Sequence, residues 1–360
     1  MSKQSDKPRP ETDILISVII PTYKRSERLQ HLLKQLTAQD AEQPGCYEII
    51  VVDDGSPKSP CPEVEAIGCN AAVLVRCFRK ENGGPASARN FGARMARGEF
   101  LLFVDDDMSV RPDFIRAHIE TQKEFGPALI NCHFDWQVEA DSKPFQLWYK
   151  KRVEHWAGLR LEDAKEIADD VFEITNVLAT TANLSVSRKI FESVEGFDEG
   201  YPFGCEDQDF AGRLARKNVR ALATRRSVAT HVETHNSLRR LCERQRAGAM
   251  DTVRFIRRFA VEHHCGEQEI AVTNGPIRVG VDSSALILKK MIRQLITARF
   301  LITPVFASVR LLELSIPEST VLQKAYDAIV SAYAQKGWRE GLRMYRAEPP
   351  LKEWAPAGTK

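Results

Sequence analysis

Three stretches of the chain are apolar at nearly every position: ILISVIIP from residue 14, YEIIVVDD from residue 47 and GEFLLFVDDDM from residue 98. Unbroken apolar runs of this length predict strands buried on both faces, as in a parallel sheet covered by helices on its two sides. Residues 72–78 predict a weaker fourth strand. Between the runs the period changes. Leu29, Leu32, Leu33 and Leu36 recur at helical spacing and predict a helix over residues 26–39. After the break Asn82-Gly83-Gly84-Pro85, residues 86–97 predict another, with Pro85 at the first helical position, where its missing N–H costs nothing. Strands alternating with helices predict an open, mostly parallel α/β sheet, in which ligands bind at the carboxyl ends of the strands.

Beyond residue 131 the pattern becomes irregular and aromatic, with Phe134, Trp136, Phe145, Trp148, Tyr149 and Trp156 expected mainly as core beneath a long loop. Residues 183–188 and 220–224 predict further strands. Residues 210–217 predict a helix opening on the acidic run 206–209. From residue 237 onward the chain reads as helical and basic, with Pro304 and Pro317 expected to interrupt it. The division that follows is a polar leader (1–13), expected to be disordered, an α/β domain (14–240) and a mostly helical extension (241–360).

The basic helices admit three readings. A helix packed on the domain with a solvated basic face is preferred over a peripheral contact with an anionic membrane or a homodimer contact.

Composition narrows the class. The 360 residues are 43% hydrophobic and 28% charged with a formal net charge of +2, an ordinary globular balance that argues against a dedicated nucleic-acid binder. No apolar run approaches the roughly 18 residues a membrane span needs. The eight cysteines show no C-x-x-C pair and no framework spacing, which suggests reduced thiols in a cytoplasmic setting.

The candidate chemistry lies where the strands end. Asp105, Asp106 and Asp107 close one buried strand; in an extended chain Asp105 and Asp107 point to one side and Asp106 to the other. Two carboxylates projecting together call for a hard divalent ion, Mn2+ or Mg2+, of the kind that shares its coordination with phosphates. Asp53 and Asp54 close the neighbouring strand, with Pro21, Thr22, Tyr23 and Arg25 alongside, suited to fixing a nucleoside. Asn82 and Gly83 lead into a helix whose N-terminal N–H groups, with Arg89, would favour a diphosphate. A second acidic cluster, Glu206-Asp207, fits either helix capping or a general base, and spacing alone does not choose between its two members. His231 is the candidate third metal ligand, with His235 competing. No G-x-G-x-x-G follows a strand and no Walker loop is present, which weakens a dinucleotide dehydrogenase or a P-loop NTPase.

Taken together and in order, SVIIPTYKR, IIVVDDGS, NGGPASARNFG, GEFLLFVDDDM and GFDEGYPFGCEDQDF resemble the family 2 glycosyltransferases of GT-A fold, across about residues 14–240. The resemblance implies a Rossmann-like GT-A domain and an inverting enzyme that uses a nucleotide-diphosphate sugar and a divalent metal. It implies that Thr22 and Asp54 contact the nucleoside, that Asp105 and Asp107 form the D-x-D site, and that Asp207 is the base, with Glu206 its rival. A sugar, glycan or lipid-linked acceptor is the expected second substrate. The alternatives are a nucleotidyltransferase, which would want a Gly/Arg/Lys-rich loop after the first strand, and a non-catalytic sugar-nucleotide-binding subunit.

Overall fold

The computed structural model describes residues 14–41, 45–138, 142–159, 161, 164–175, 179–202, 204–232, 237–259 and 272–346. The leader 1–13 and His235 lie outside the described residues.

The apolar runs form the middle of a ten-stranded sheet. They are β1 (Ile16–Thr22), β2 (Tyr47–Asp53) and β4 (Phe100–Val104), with β3 (Leu74–Arg79) at the edge. β3, β2, β1 and β4 run parallel in that order. Alternate residues of β1 feed opposite cores. Ile16, Val18 and Ile20 meet Leu29, Leu32, Leu33 and Leu36 of α1 (Ser26–Leu36), while Ile19 joins the core beneath α3 (Gly84–Met95). Burial on both faces explains why the sequence does not alternate.

Past β4 the sheet becomes mixed. β9 (Asn183–Ser187) runs antiparallel to both β4 and β6 (Ala128–Gln137), and β10 (Arg220–Val232) is parallel to β6. β8 (Val171–Ile174) and β7 (Lys165–Ala168) continue the far edge, and β5 (Met108–Val110) pairs with β10 off the main path. The parallel order therefore holds for one half of an α/β sheet. The aromatic stretch expected to be irregular is instead β6, α5 (Pro144–Leu159), β7 and β8. Most of its large rings are indeed core: Phe134, Trp136, Phe145 and Trp148 are buried.

Cys61, which opens α2 (Cys61–Cys69), forms a disulfide with Cys77 of β3. This corrects the reduced-thiol expectation for these two cysteines. The two cysteines meet because α2 folds back on β3, which spacing along the chain does not reveal.

Two further helices matter to the site, α4 (Phe114–Phe125) behind the sheet and α7 (Glu206–Arg216). The expected boundary at residue 240 falls inside α8 (Leu238–Phe259), which sends Phe255 and Phe259 into the same core as α7. α8 crosses α11 (Thr320–Met344) closely: a Cβ on Gly337 would overlap the Arg246 carbonyl oxygen. Between them in sequence are α9 (Ser284–Ile296) and α10 (Ile302–Ser315). Pro304 sits in the first turn of α10, where proline is tolerated, so it does not break that helix. Among the described residues no helix is long and apolar enough to cross a membrane.

Candidate active site

Register assembles the site. β1 pairs β2 with Thr22 opposite Asp53, and pairs β4 with Ile19 opposite Phe103, which brings the end of β1 beside the turn that follows β4. The Thr22 hydroxyl donates to Asp106 Oδ2 at 2.7 Å. Because the strand ends at Val104, the three aspartates lie on a turn, and the alternation expected of an extended chain does not apply to them. Asp106 and Asp107 share one cation: Arg25 Nη1 lies 3.1 Å from Asp106 Oδ1 and 2.5 Å from Asp107 Oδ2. Asp105 turns the other way and accepts from Arg89 Nη2 at 2.8 Å.

β10 delivers the histidine. A bulge between Thr224 and Ala229 re-aims the strand so that His231 pairs with Met108 on one side and Trp136 on the other. His231 Nε2 comes to 3.4 Å from Asp107 Oδ1, and the Trp136 ring stacks on the imidazole at 4.0 Å with 6° between planes. Burial opposes ionisation of Asp107, yet His231 and Arg25 hold its carboxyl well below the ordinary value. Burial pushes the neighbouring Asp106 up to about 6 against the pull of Arg25.

Arg89, one and a half turns into α3, is buried. Nη1 donates to Glu206 Oε1 and Nη2 to Asp105 Oδ1, both at 2.8 Å, so one guanidinium ties the end of β4 to the start of α7. It is a pivot between two acidic clusters and is not presented to solvent. The three acids in the first turn of α7 have different fates. Glu206 is committed to Arg89. Asp209 is buried against Arg213 at 2.7 Å and Arg258 at 3.0 Å. Asp207 is held by neutral donors, the N–H of Thr181 at 3.0 Å and its hydroxyl at 3.1 Å, with Arg89 no nearer than 4.0 Å. Burial first, and then the Glu206 carboxylate, push Asp207 up to about 7.

The second strand end is knitted into the protein. Asp54 accepts from Gly83 N at 3.0 Å, Gly84 N at 2.8 Å and Lys80 Nζ at 2.8 Å, while Asn82 Nδ2 donates to its carbonyl oxygen. Of the amides at the start of α3 that the sequence offered to a phosphate, those of Gly83 and Gly84 are taken by Asp54. Gly55 adopts φ +79°, and a Cβ there would meet Asn82 N at 2.9 Å, so this turn requires glycine. Asp53 accepts from Ser56 N at 2.9 Å. Tyr23 is exposed beside it, and Lys24, Arg25, Ser56, Pro57 and Lys58 line a cleft of about 280 Å³ at the ends of β1 and β2.

For a divalent ion the donor chemistry is apt. Asp107 Oδ1 is buried without a hydrogen-bond partner among the described residues, and it faces an imidazole nitrogen. Of the expected set, Asp107 and His231 are brought together. Asp105 is held away by Arg89, and among the described residues no three such donors surround a common point. Three features were not read from the sequence: Arg25 as a bridge between carboxylates, Trp136 behind His231, and Thr181 beneath Asp207. None has a local signature, since each depends on contacts between elements far apart in the chain.

The family model described as Glycosyl transferase family 2 matches residues 17–193, which carry both acidic strand ends. Residues 17–193 belong to glycosyl transferase family 2. An uncharacterized glycosyltransferase of Bacillus subtilis (strain 168) is 27% identical over 257 residues, 60% of this chain and 64% of that protein. The validoxylamine A glucosyltransferase of Streptomyces hygroscopicus subsp. limoneus is 27% identical over 243 residues, 62% of this chain and 53% of that protein. The chain thus spans about half to two-thirds of the length of these curated relatives. Among solved structures, a mannosyltransferase from Pyrobaculum calidifontis in complex with GDP-Man and Mn2+ superposes with TM-score 0.58 at 16% identity, covering 94% of this chain and 91% of that one. At that identity it shows the fold, which is GT-A.

Proposed function

We propose that this family 2 domain transfers a sugar from a nucleotide-diphosphate donor to an acceptor hydroxyl, with inversion at the anomeric carbon. The observation that carries the reading is Asp207, the one acid of the α7 cluster left without a close cation, across Arg89 from the acidic end of β4. A carboxyl titrating near neutrality is poised to accept a proton, as a general base must. Asp207 takes the proton of the acceptor hydroxyl as its oxygen forms the new bond to the anomeric carbon. The bond from that carbon to the diphosphate breaks on the opposite face, and the diphosphate leaves with the electron pair. The Glu206 carboxylate, fixed on Arg89, raises the basicity of Asp207.

Asp107 and His231 would hold Mn2+ or Mg2+, with Asp105 as a third ligand once released from Arg89. When bound, such an ion stabilises negative charge on the departing diphosphate. The Mn2+ in the complex of the P. calidifontis mannosyltransferase supports this choice of ion. Pro21, Thr22, Tyr23, Arg25, Asp53, Asp54, Asn82 and Gly83 ring the β1 and β2 ends and supply the nucleoside side of the pocket.

The test is Asp207→Asn assayed for turnover and for donor binding. Turnover is expected to fall by about 10²–10⁴-fold while donor affinity is retained. Normal turnover in that variant contradicts the assignment of the base.

A further inference from the structure

The carboxy-terminal helices reverse the usual order of polar and apolar faces. In α9 two of the three charged side chains point inward: Lys290 is fully buried, with Nζ 2.7 Å from Asp282 Oδ2 and 3.0 Å from the Pro276 carbonyl oxygen. Arg293 is buried too and donates to the Thr273 carbonyl oxygen at 3.1 Å. Outward, at helical spacing, Leu288, Met291, Ile292 and Leu295 are between 47% and 58% exposed. α10 repeats the pattern, with Leu311 and Leu314 exposed by 65% and 70%, and Phe300 in the connection by 76%. Of the fifteen large apolar side chains exposed among the described residues, nine fall within residues 288–321. Apolar patches gathered in this way mark a contact surface.

The charge on this face selects the occupant. Residues 284–321 carry five cationic side chains and two acids, Glu313 and Glu318. Glu313 is turned inward, 8% exposed, and paired with Arg310 and the Tyr326 hydroxyl. What faces out beside the apolar stripe is Lys289, Arg299 and Arg310. A groove of about 410 Å³ between α9 and α11 extends the stripe, floored by Leu288, Ile292 and Ile296 and rimmed by Lys289, Lys324 and Asp327, the last paired with Arg152. An isologous dimer through this face would set cations against their own copies. An anionic lipid surface satisfies both features, since apolar side chains enter the boundary of headgroups and acyl chains while cations meet the headgroups. α8 differs. Its apolar side chains are buried in the core and its Arg254 and Arg258 are paired with Asp198.

We infer that the outer face of α9 and α10 seats the protein on an anionic bilayer, lying on the membrane and not crossing it. The probe is co-sedimentation of the full chain with vesicles of equal phosphatidylglycerol and phosphatidylcholine, against vesicles of phosphatidylcholine alone. Wild type is expected to bind the anionic vesicles, to release as salt rises, and to bind the neutral ones weakly. Lys289→Glu with Arg299→Glu lowers the partition coefficient by at least roughly fivefold for each cation lost. Leu288→Glu with Leu311→Glu abolishes binding. All four positions are exposed, so circular dichroism and the thermal midpoint should be unchanged. Absence of wild-type binding to anionic vesicles overturns the inference. So does a dimer in light scattering that the leucine pair dissolves, which would assign the face to a second copy, or vesicle binding that survives both pairs of substitutions.

Discussion

At the scale of single residues, the site is governed by how few cations serve how many carboxylates. Arg89 is shared between Asp105 and Glu206, and Arg25 between Asp106 and Asp107, which leaves Asp207 with neutral donors and a raised proton affinity. Its folded-state titration near 7, above the ordinary carboxylate value, has a definite sign. Between those two pH values the native state holds a proton that the unfolded chain has released, so this group's contribution to stability declines as pH rises through the window. Turnover should therefore fall as pH drops below about 7, and Asp207→Asn should flatten the decline in thermal midpoint between pH 5 and pH 8. A midpoint curve unchanged by the substitution would show that Asp207 titrates in the ordinary range. Arg89→Ala should cost about 3 kcal/mol in urea unfolding, because Glu206 is left charged and buried. The identity of the acids could be read from the sequence, but the choice of Asp207 over Glu206 could not. It depends on Arg89 and Thr181, which lie 117 and 26 residues away from their partners.

Secondary-structure elements were legible in proportion to how uniformly they are buried. β1, β2 and β4 are apolar on both faces and α1 carries its leucines on one, so local pattern and tertiary burial agree. β6, β7 and β8 are partly exposed and joined by α5, whose buried residues Phe145, Trp148 and Ala157 follow no clean stripe. Their pattern is set by packing against β10 and the C-terminal helices, which no local window contains. The Cys61–Cys77 link was hidden for the same reason. It closes a loop of sequence separation 16 at the edge of the sheet. Reduction, or Cys61→Ser, should lower stability by about 3 kcal/mol on the chain-entropy model. The readout is chemical unfolding with and without dithiothreitol, and a null difference would mean that the native packing of α2 on β3 needs no covalent constraint.

The molecule as a whole joins a parallel half-sheet, which supplies the acidic strand ends, to a mixed half, which returns His231 and Asp207 to the same edge. The α/β class and the acidic strand ends were visible in the sequence. The return path was not, because β10 reaches Asp107 only through its bulge and its antiparallel pairing with β5. The C-terminal helices were legible as helices. The inversion of α9, with Lys290 inside and Leu288 outside, is a tertiary property.

The most direct measurement is the thermal midpoint of wild type and Asp107→Ala with UDP, GDP, dTDP and CDP, each with and without Mn2+. A site for a nucleotide-diphosphate sugar predicts that at least one nucleotide stabilises wild type in a Mn2+-dependent way, by about 2.7 kcal/mol at a hundredfold excess over its dissociation constant, and that Asp107→Ala loses the effect. No shift with any nucleotide, or a shift that Asp107→Ala keeps in full, would contradict it.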